Sequence, residues 1–458
     1  MYLENGVYKY SESIDFEVLS ISVSINGEPV VVYDLASGEE LPSNVVQALF
    51  DDKVIKWAHN AIFERICLSE WLKRTYPLFY KQYGRSNLNP TCWRCTMVLG
   101  VYYGLPASLN DMGKALKLEN QKLEEGKKLV KNFCQPCKPT SGNNYRTRNL
   151  PAHNPDEWKL FLEYNRRDVE VALEIKAILS KYQLPQNFWQ EYALDQEIND
   201  RGILVDTNSV SNAVRFCEQY MADTTTALKN LTGIDNPNSI QQMKAWLESK
   251  DIKVASLDKN AVDALMLTVP ADIKTILTLY RKMKKTSVAK YTKMFNARGR
   301  DGRIRGAFQF YGAKLKLTIC YQAKTKTNNI EFRYQDNILF ITLPSGRELC
   351  YRNPKIELGE LGQEITYDDA KIGVRVKSYG AKFVENIVQG ISRDILANAM
   401  MRLQSRGAII AHVHDEVVLE CHKSESVDKI CELMSIPPDW MPDINLKVEG
   451  FESMYYRK

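Results

Sequence analysis

The sequence has no apolar run long enough to span a bilayer, so no transmembrane helix is expected. Its opening, Met1-Tyr-Leu-Glu-Asn-Gly6, has no basic stretch followed by an apolar one, so secretion is not expected. It shows no internal repeat and no low-complexity tract. It also lacks a strong charge imbalance. A formal net charge of +5 is mild and speaks only weakly for a nucleic-acid partner. Without an export signal, its ten cysteines read as reduced thiols in a cytoplasm.

What is present is ordinary soluble globular sequence, 44% hydrophobic and 26% charged. At 458 residues, two to four domains are expected. The pattern divides into three. Residues 1–185 alternate strands and helices. Phe16 to Ile25 and Pro29 to Asp34 read as strands joined at Asn26-Gly27. Val54 to Ala58 reads as a short strand running into a helix capped at Asn60. Gln121 to Asn154 reads as a basic loop, and a helix opens at Asn154-Pro155. Residues 186–300 read as helical, with a glycine stop at Gly202 and a lysine-rich helix from Asp272 to Phe295. Residues 301–458 mix strands with one long helix, Val384 to Arg406, in which Ile387, Ile391 and Ile395 recur at helical spacing.

The chemistry concentrates near the end. Ala408-Ile-Ile-Ala-His-Val413 and Val417-Val-Leu-Glu420 are strand-like, and the tripeptide His414-Asp415-Glu416 lies between them. A carboxylate at a hairpin tip is placed to hold a metal ion against a phosphate. The helix before it carries Gln389-Gly390. This order, helix then His414-Asp415-Glu416 hairpin, resembles the palm of the family A DNA polymerases, especially the short phage-type members. The ending, Val448-Glu-Gly-Phe451 with Tyr455-Tyr-Arg-Lys458, is similar to theirs as well.

The resemblance implies that Asp415 is one of two palm aspartates binding Mg²⁺, with Glu416 beside it. It implies that Gln389 and His414 contact DNA. Such enzymes draw their other aspartate from an Asp-Tyr-Ser-x-x-Glu strand, and none occurs here. The finger helix with Arg, Lys and then Tyr-Gly is absent too. Asp301 to Ala313 is similar to the segment leading towards the first of these motifs. The family pattern resumes only at Ile330 to Arg352, beyond the fingers. The fingers are therefore expected to be missing near residues 313/314.

The N-terminal part resembles the RNase H-like 3′–5′ exonuclease domain of the same polymerases. There a Tyr orients the attacking water and four carboxylates hold two Mg²⁺ ions. Tyr164-Asn-Arg-Arg-Asp168 puts phenol and carboxylate on one helix face, four residues apart. Glu64, after His59-Asn60, occupies the second motif. Asp15-Phe-Glu17 has the letters of the first motif. However, its flanks match a family segment downstream of that motif, which by this register would precede Met1. Cys92-x-x-Cys95 and Cys134-x-x-Cys137 have zinc-like spacing, but reduced core thiols are expected there before zinc.

The expected fold class is thus α/β and α+β multidomain: an exonuclease-like domain (1–185), a helical thumb (186–300) and a partial palm (301–458). The expected function is family A DNA-directed DNA polymerase by two-metal transfer, impaired in this chain. The alternatives are a non-catalytic DNA-binding remnant or a residual exonuclease. Primer–template DNA and deoxynucleoside triphosphates are the partners implied by the resemblance, without a membrane. Lys284, Lys285, Lys290 and Arg303 are the expected phosphate contacts.

Overall fold

A computed structural model describes residues 5–118, 126–284, 289–310, 330–359, 362–369 and 373–456. Lys285 and the 313/314 junction lie outside the described residues. The chain divides into two compact units, 1–203 with 305–458, and 204–304.

In the first unit, β1 (Ile21–Val23) and β2 (Val31–Tyr33) pair antiparallel. Asn26 and Gly27 take positive φ of 52° and 89°, and Glu28 N donates to Ile25 O at 3.0 Å. A tight hairpin turn needs that backbone, and Asn-Gly adopts it at low cost. β3 (Lys56–Ala58) and β4 (Trp93–Cys95) pair parallel. Between them runs α1 (Ala61–Thr75). Asn60 precedes α1 at φ 65°, and its side chain makes no cap bond, contrary to the capping role expected of it.

The basic stretch 121–154 is not all loop. It contains α2 (Gly126–Cys134), because Leu129 and Phe133 bury against Trp158 and Phe161 of α3 (Pro155–Leu179). Buried aromatic area outweighs the loop-like composition here. α4 (Phe188–Arg201) follows and ends at Gly202, φ 65°. It falls in the first unit, not with the helices after it.

The second unit contains α5 (Thr207–Thr232), α6 (Ala271–Met283) and α7 (Ala289–Ala297). α5, with Asp206 capping Asn208 and Ser209, falls in the stretch that reads as helical; few of its apolar residues bury, Val210 and Leu228 among them. A core of Leu228, Met243, Leu247, Leu277 and Tyr280 holds this unit.

The first unit resumes with an antiparallel sheet in the order β9-β8-β7-β6-β5: β5 (Glu331–Gln335), β6 (Ile338–Thr342), β7 (Glu348–Gly359), β8 (Gly362–Asp369) and β9 (Val374–Ser378). α8 (Gly380–Leu403) leads to β10 (Ala408–Val413) and β11 (Glu416–Glu420). One continuous core joins Leu99, Tyr103, Val171 and Ile175 from the N-terminal part to Phe188, Ile338 and Phe340. Residues 1–203 and 305–458 therefore share one core. No described helix is long and apolar enough to cross a membrane.

Candidate active sites

Glu64 stands in the first turn of α1, and Asp168 lies on α3. The structure brings these two carboxylates within electrostatic reach. Burial is the main force lifting Glu64 to about 8, opposed by its own backbone N–H, with the Asp168 charge adding to the rise. Glu64 Oε2 is sealed from solvent and has no hydrogen-bond partner among the described residues. Tyr164, one turn before Asp168, lies against Gly126; a Cβ there would come within 2.0 Å of the ring. The glycine opening α2 is thus what lets the Tyr164 ring lie flat on that helix.

Asp15 and Glu17 are exposed. Glu17 accepts two bonds from the Arg148 guanidinium, at 3.1 and 2.6 Å, and its carboxyl is held below the usual range by that contact. The Asp15 charge also acts on Arg148. These two acids face a cation, whereas Glu64 and Asp168 face each other. Arg148, within the basic stretch 121–154, thus serves as a partner for Glu17. The cysteines at 92, 95 and 137 bond within the protein: Cys92 Sγ to Asn89 O (3.1 Å), Ala61 N to Cys95 Sγ (3.4 Å) and Cys137 Sγ to Arg146 O (3.3 Å).

At the other end of the unit, Val413 pairs with Glu416, so His414 and Asp415 form a two-residue hairpin loop. His414 takes φ 57°, a conformation such loops usually assign to glycine or asparagine. Asp415 is exposed at the tip. Glu416 Oε2 accepts from Tyr456 Oη at 3.0 Å, a contact the sequence reading did not foresee. A register shift between Ile409 and Ala411 bends β10 beneath the tip, and Arg201 Nη1 donates to Ile409 O at 3.1 Å.

α8 packs closely behind the hairpin. Gly390 sits where a Cβ would be 2.7 Å from Leu343 Cδ1, so the helix approaches the sheet through that glycine. Arg347 Nη2 donates to Gly390 O at 2.8 Å, and Arg347 Nε to Asp394 at 2.6 Å. Gln389, half-buried, donates to Glu385 at 3.1 Å.

In the 204–304 unit, Lys290 and Lys293 are exposed on α7. Lys284 donates to Asn238 O at 2.8 Å and lies 5.6 Å from the Tyr280 ring centroid. Arg303 is half-buried on a short strand.

No family model matches the chain. It is 31% identical to the DNA polymerase of Bacillus phage SP02 over 644 aligned residues, with all of this chain and 97% of that protein covered. The chain belongs to the phage DNA polymerases. By family it is a DNA-directed DNA polymerase. The aligned length exceeds the 458 residues of this polymerase, so its relative has stretches with no counterpart here. Among the described residues of the polymerase, no group of three or more His, Cys, Asp or Glu side chains is placed to share one metal ion.

Proposed function

We propose that this chain is a family A DNA polymerase whose nucleotidyl-transfer site is incomplete. One observation carries the reading. Asp415 is presented at a hairpin tip that follows the Gln389-Gly390 helix in the chain, while the alignment with the relative runs over 644 positions against 458 residues here. Two-metal phosphoryl transfer needs at least two carboxylates bridging the ions. The surplus of aligned length over chain length supports a loss of the segment that carries the other aspartate and the fingers.

Asp415 and Glu416 offer hard oxygen donors of the kind Mg²⁺ prefers, although Glu416 is drawn towards Tyr456. Bound Mg²⁺ would neutralise charge developing on the phosphates. The chain's own part is to aim Asp415 by a strained turn and to offer the Gln389 amide to the minor groove. In the N-terminal part, Glu64 and Asp168 would share one divalent cation, and Tyr164 would orient a water. Glu17 is engaged with Arg148, which speaks against its joining them. The RNase H-like exonuclease is thus read as partial, and the 204–304 unit as the thumb.

Primer extension with Mg²⁺ tests the proposal. Synthesis no greater than that of Asp415→Ala is expected. Robust extension that disappears in Asp415→Ala would overturn it.

The exposed Lys290 and Lys293 favour a second reading, DNA binding without turnover. If these lysines and one further cation meet phosphates, log Kobs for primer–template should fall with log salt at a slope of roughly −3. A slope near zero, or one unchanged in Lys290→Ala, counts against it.

A further inference from the structure

A small cavity lies among α4, α8 and β10, lined by Glu191, Leu194, Asp195, Arg393, Ala397, Met400 and His412. Its volume for water centres is about 10 Å³, room for one water and no more. Four of its seven lining residues are polar. Asp195 is buried and receives Gln196 Nε2 and Asn199 Nδ2, both at 3.2 Å on the same oxygen. Arg393 Nη1 is sealed from solvent and has no hydrogen-bond partner among the described residues. A buried guanidinium N–H without an acceptor is costly. A cavity of this size beside it, with carboxylates on the far wall, is where a bridging water resolves that cost.

We propose that this cavity is a single-water site, in which the water accepts from Arg393 Nη1 and donates to the Glu191 and Asp195 carboxylates. It ties α4 to α8 under the strand that leads into Asp415. Arg393 is then a positioning residue for the hairpin. His412 forms the roof, with its ring stacked on Phe308 at 5.0 Å. The inference does not depend on whether the chain polymerises.

The charges around the site are Glu191 and Asp195 from α4, Arg393 and Asp394 from α8, Arg347 from the β6–β7 turn, and His412 from β10. Burial raises Glu191 and Asp195 each to about 6, with Arg393 pulling both down. Asp394 is spoken for by Arg347 and by Ser345. Burial, then Arg393, lowers His412 to about 4, so it is neutral at pH 7. The two acids bind protons more tightly when folded, so their contribution is full below about pH 4 and is lost as pH rises through 6. His412 works in the opposite sense over nearly the same range.

Two experiments test the site. A crystal structure of the full chain near pH 7 should show one water within hydrogen-bond distance of Arg393 Nη1. A dry cavity, or Arg393 bonded directly to Glu191 or Asp195, overturns the proposal. Thermal melts between pH 4 and 8 give the second readout. Glu191→Gln and Asp195→Asn keep the shape, and each should flatten the fall in midpoint as pH rises. Arg393→Met should instead steepen the fall and move its centre to higher pH by a unit or more, with Arg393→Lys restoring most of it. If Arg393→Met does not fold, the two amide variants still decide. Curves parallel to the wild type in both overturn the coupling.

Discussion

Replacing Arg65 with alanine is expected to lower the stability of the 1–203/305–458 unit by about 3–5 kcal/mol, the range for breaking a buried ion pair from one side. Arg65 is 1% exposed and is among the largest fully buried side chains of the described residues. It reaches Asp200 through two bonds of 2.8 Å, Leu88 O at 3.1 Å and Gln196 at 3.5 Å. Tyr8 Oη donates to Asp200 as well, at 2.6 Å. Arg305 Nε meets Asp200 O at 2.7 Å, so one residue of α4 gathers strands of chain from three regions of sequence.

Truncation leaves the Asp200 carboxylate desolvated, with a single neutral donor. Burial raises the Tyr8 phenol well above its usual value, and the Asp200 charge adds to that, so Tyr8 offers a hydrogen bond and no compensating charge. The expected result is an earlier urea midpoint with little change in slope. A loss below 1 kcal/mol would mean that water enters the site and replaces the guanidinium. Arg65→Met with Asp200→Leu should recover much of the loss, since an apolar pair of similar volume costs less than one stranded charge.

The Arg65 network also shows what the sequence could and could not reveal. The local signals were legible. Asn26-Gly27 made its turn, Gly202 stopped α4, and the acidic turn at 414–415 became a hairpin loop. Each of these is decided within a few residues by backbone conformation. Arg65 and Asp200 stand 135 positions apart, and nothing in either neighbourhood announces the other. Separation in sequence likewise hid the pairing of Glu17 with Arg148 and of Tyr456 with Glu416. It also hid the Glu191–Asp195–Arg393 cavity, which joins α4 to α8. Tyr164 and Asp168 were legible because i, i+4 spacing is a local rule; the influence of Asp168 on Glu64 is a tertiary fact.

That tertiary fact has the second large consequence, in the metal-free protein. A carboxyl lifted from about 4.3 in the unfolded chain to about 8 in the fold prefers to fold protonated. Its contribution is full below about pH 4.3 and is lost as pH rises through 8. The loss amounts to at most about 5 kcal/mol above that point, at 1.36 kcal/mol for each pKa unit. In EDTA, the thermal midpoint of the wild type should therefore fall from pH 5 to pH 9. Glu64→Gln, which keeps the shape and removes the charge, should fall less and melt later at pH 9. Glu191 and Asp195 contribute to both curves equally, so the difference between the curves isolates Glu64. The thiol of Cys67 does not intrude, because burial and the Glu64 charge push it far above this range. Parallel curves would show that the Glu64 carboxylate is hydrated and that its pairing with Asp168 carries no strain. Added Mg²⁺ gives the matching functional readout. If Glu64 and Asp168 share a cation, Mg²⁺ should raise the midpoint at pH 9 in the wild type and much less in Glu64→Gln, because a bound ion removes the repulsion that the protonated form otherwise avoids.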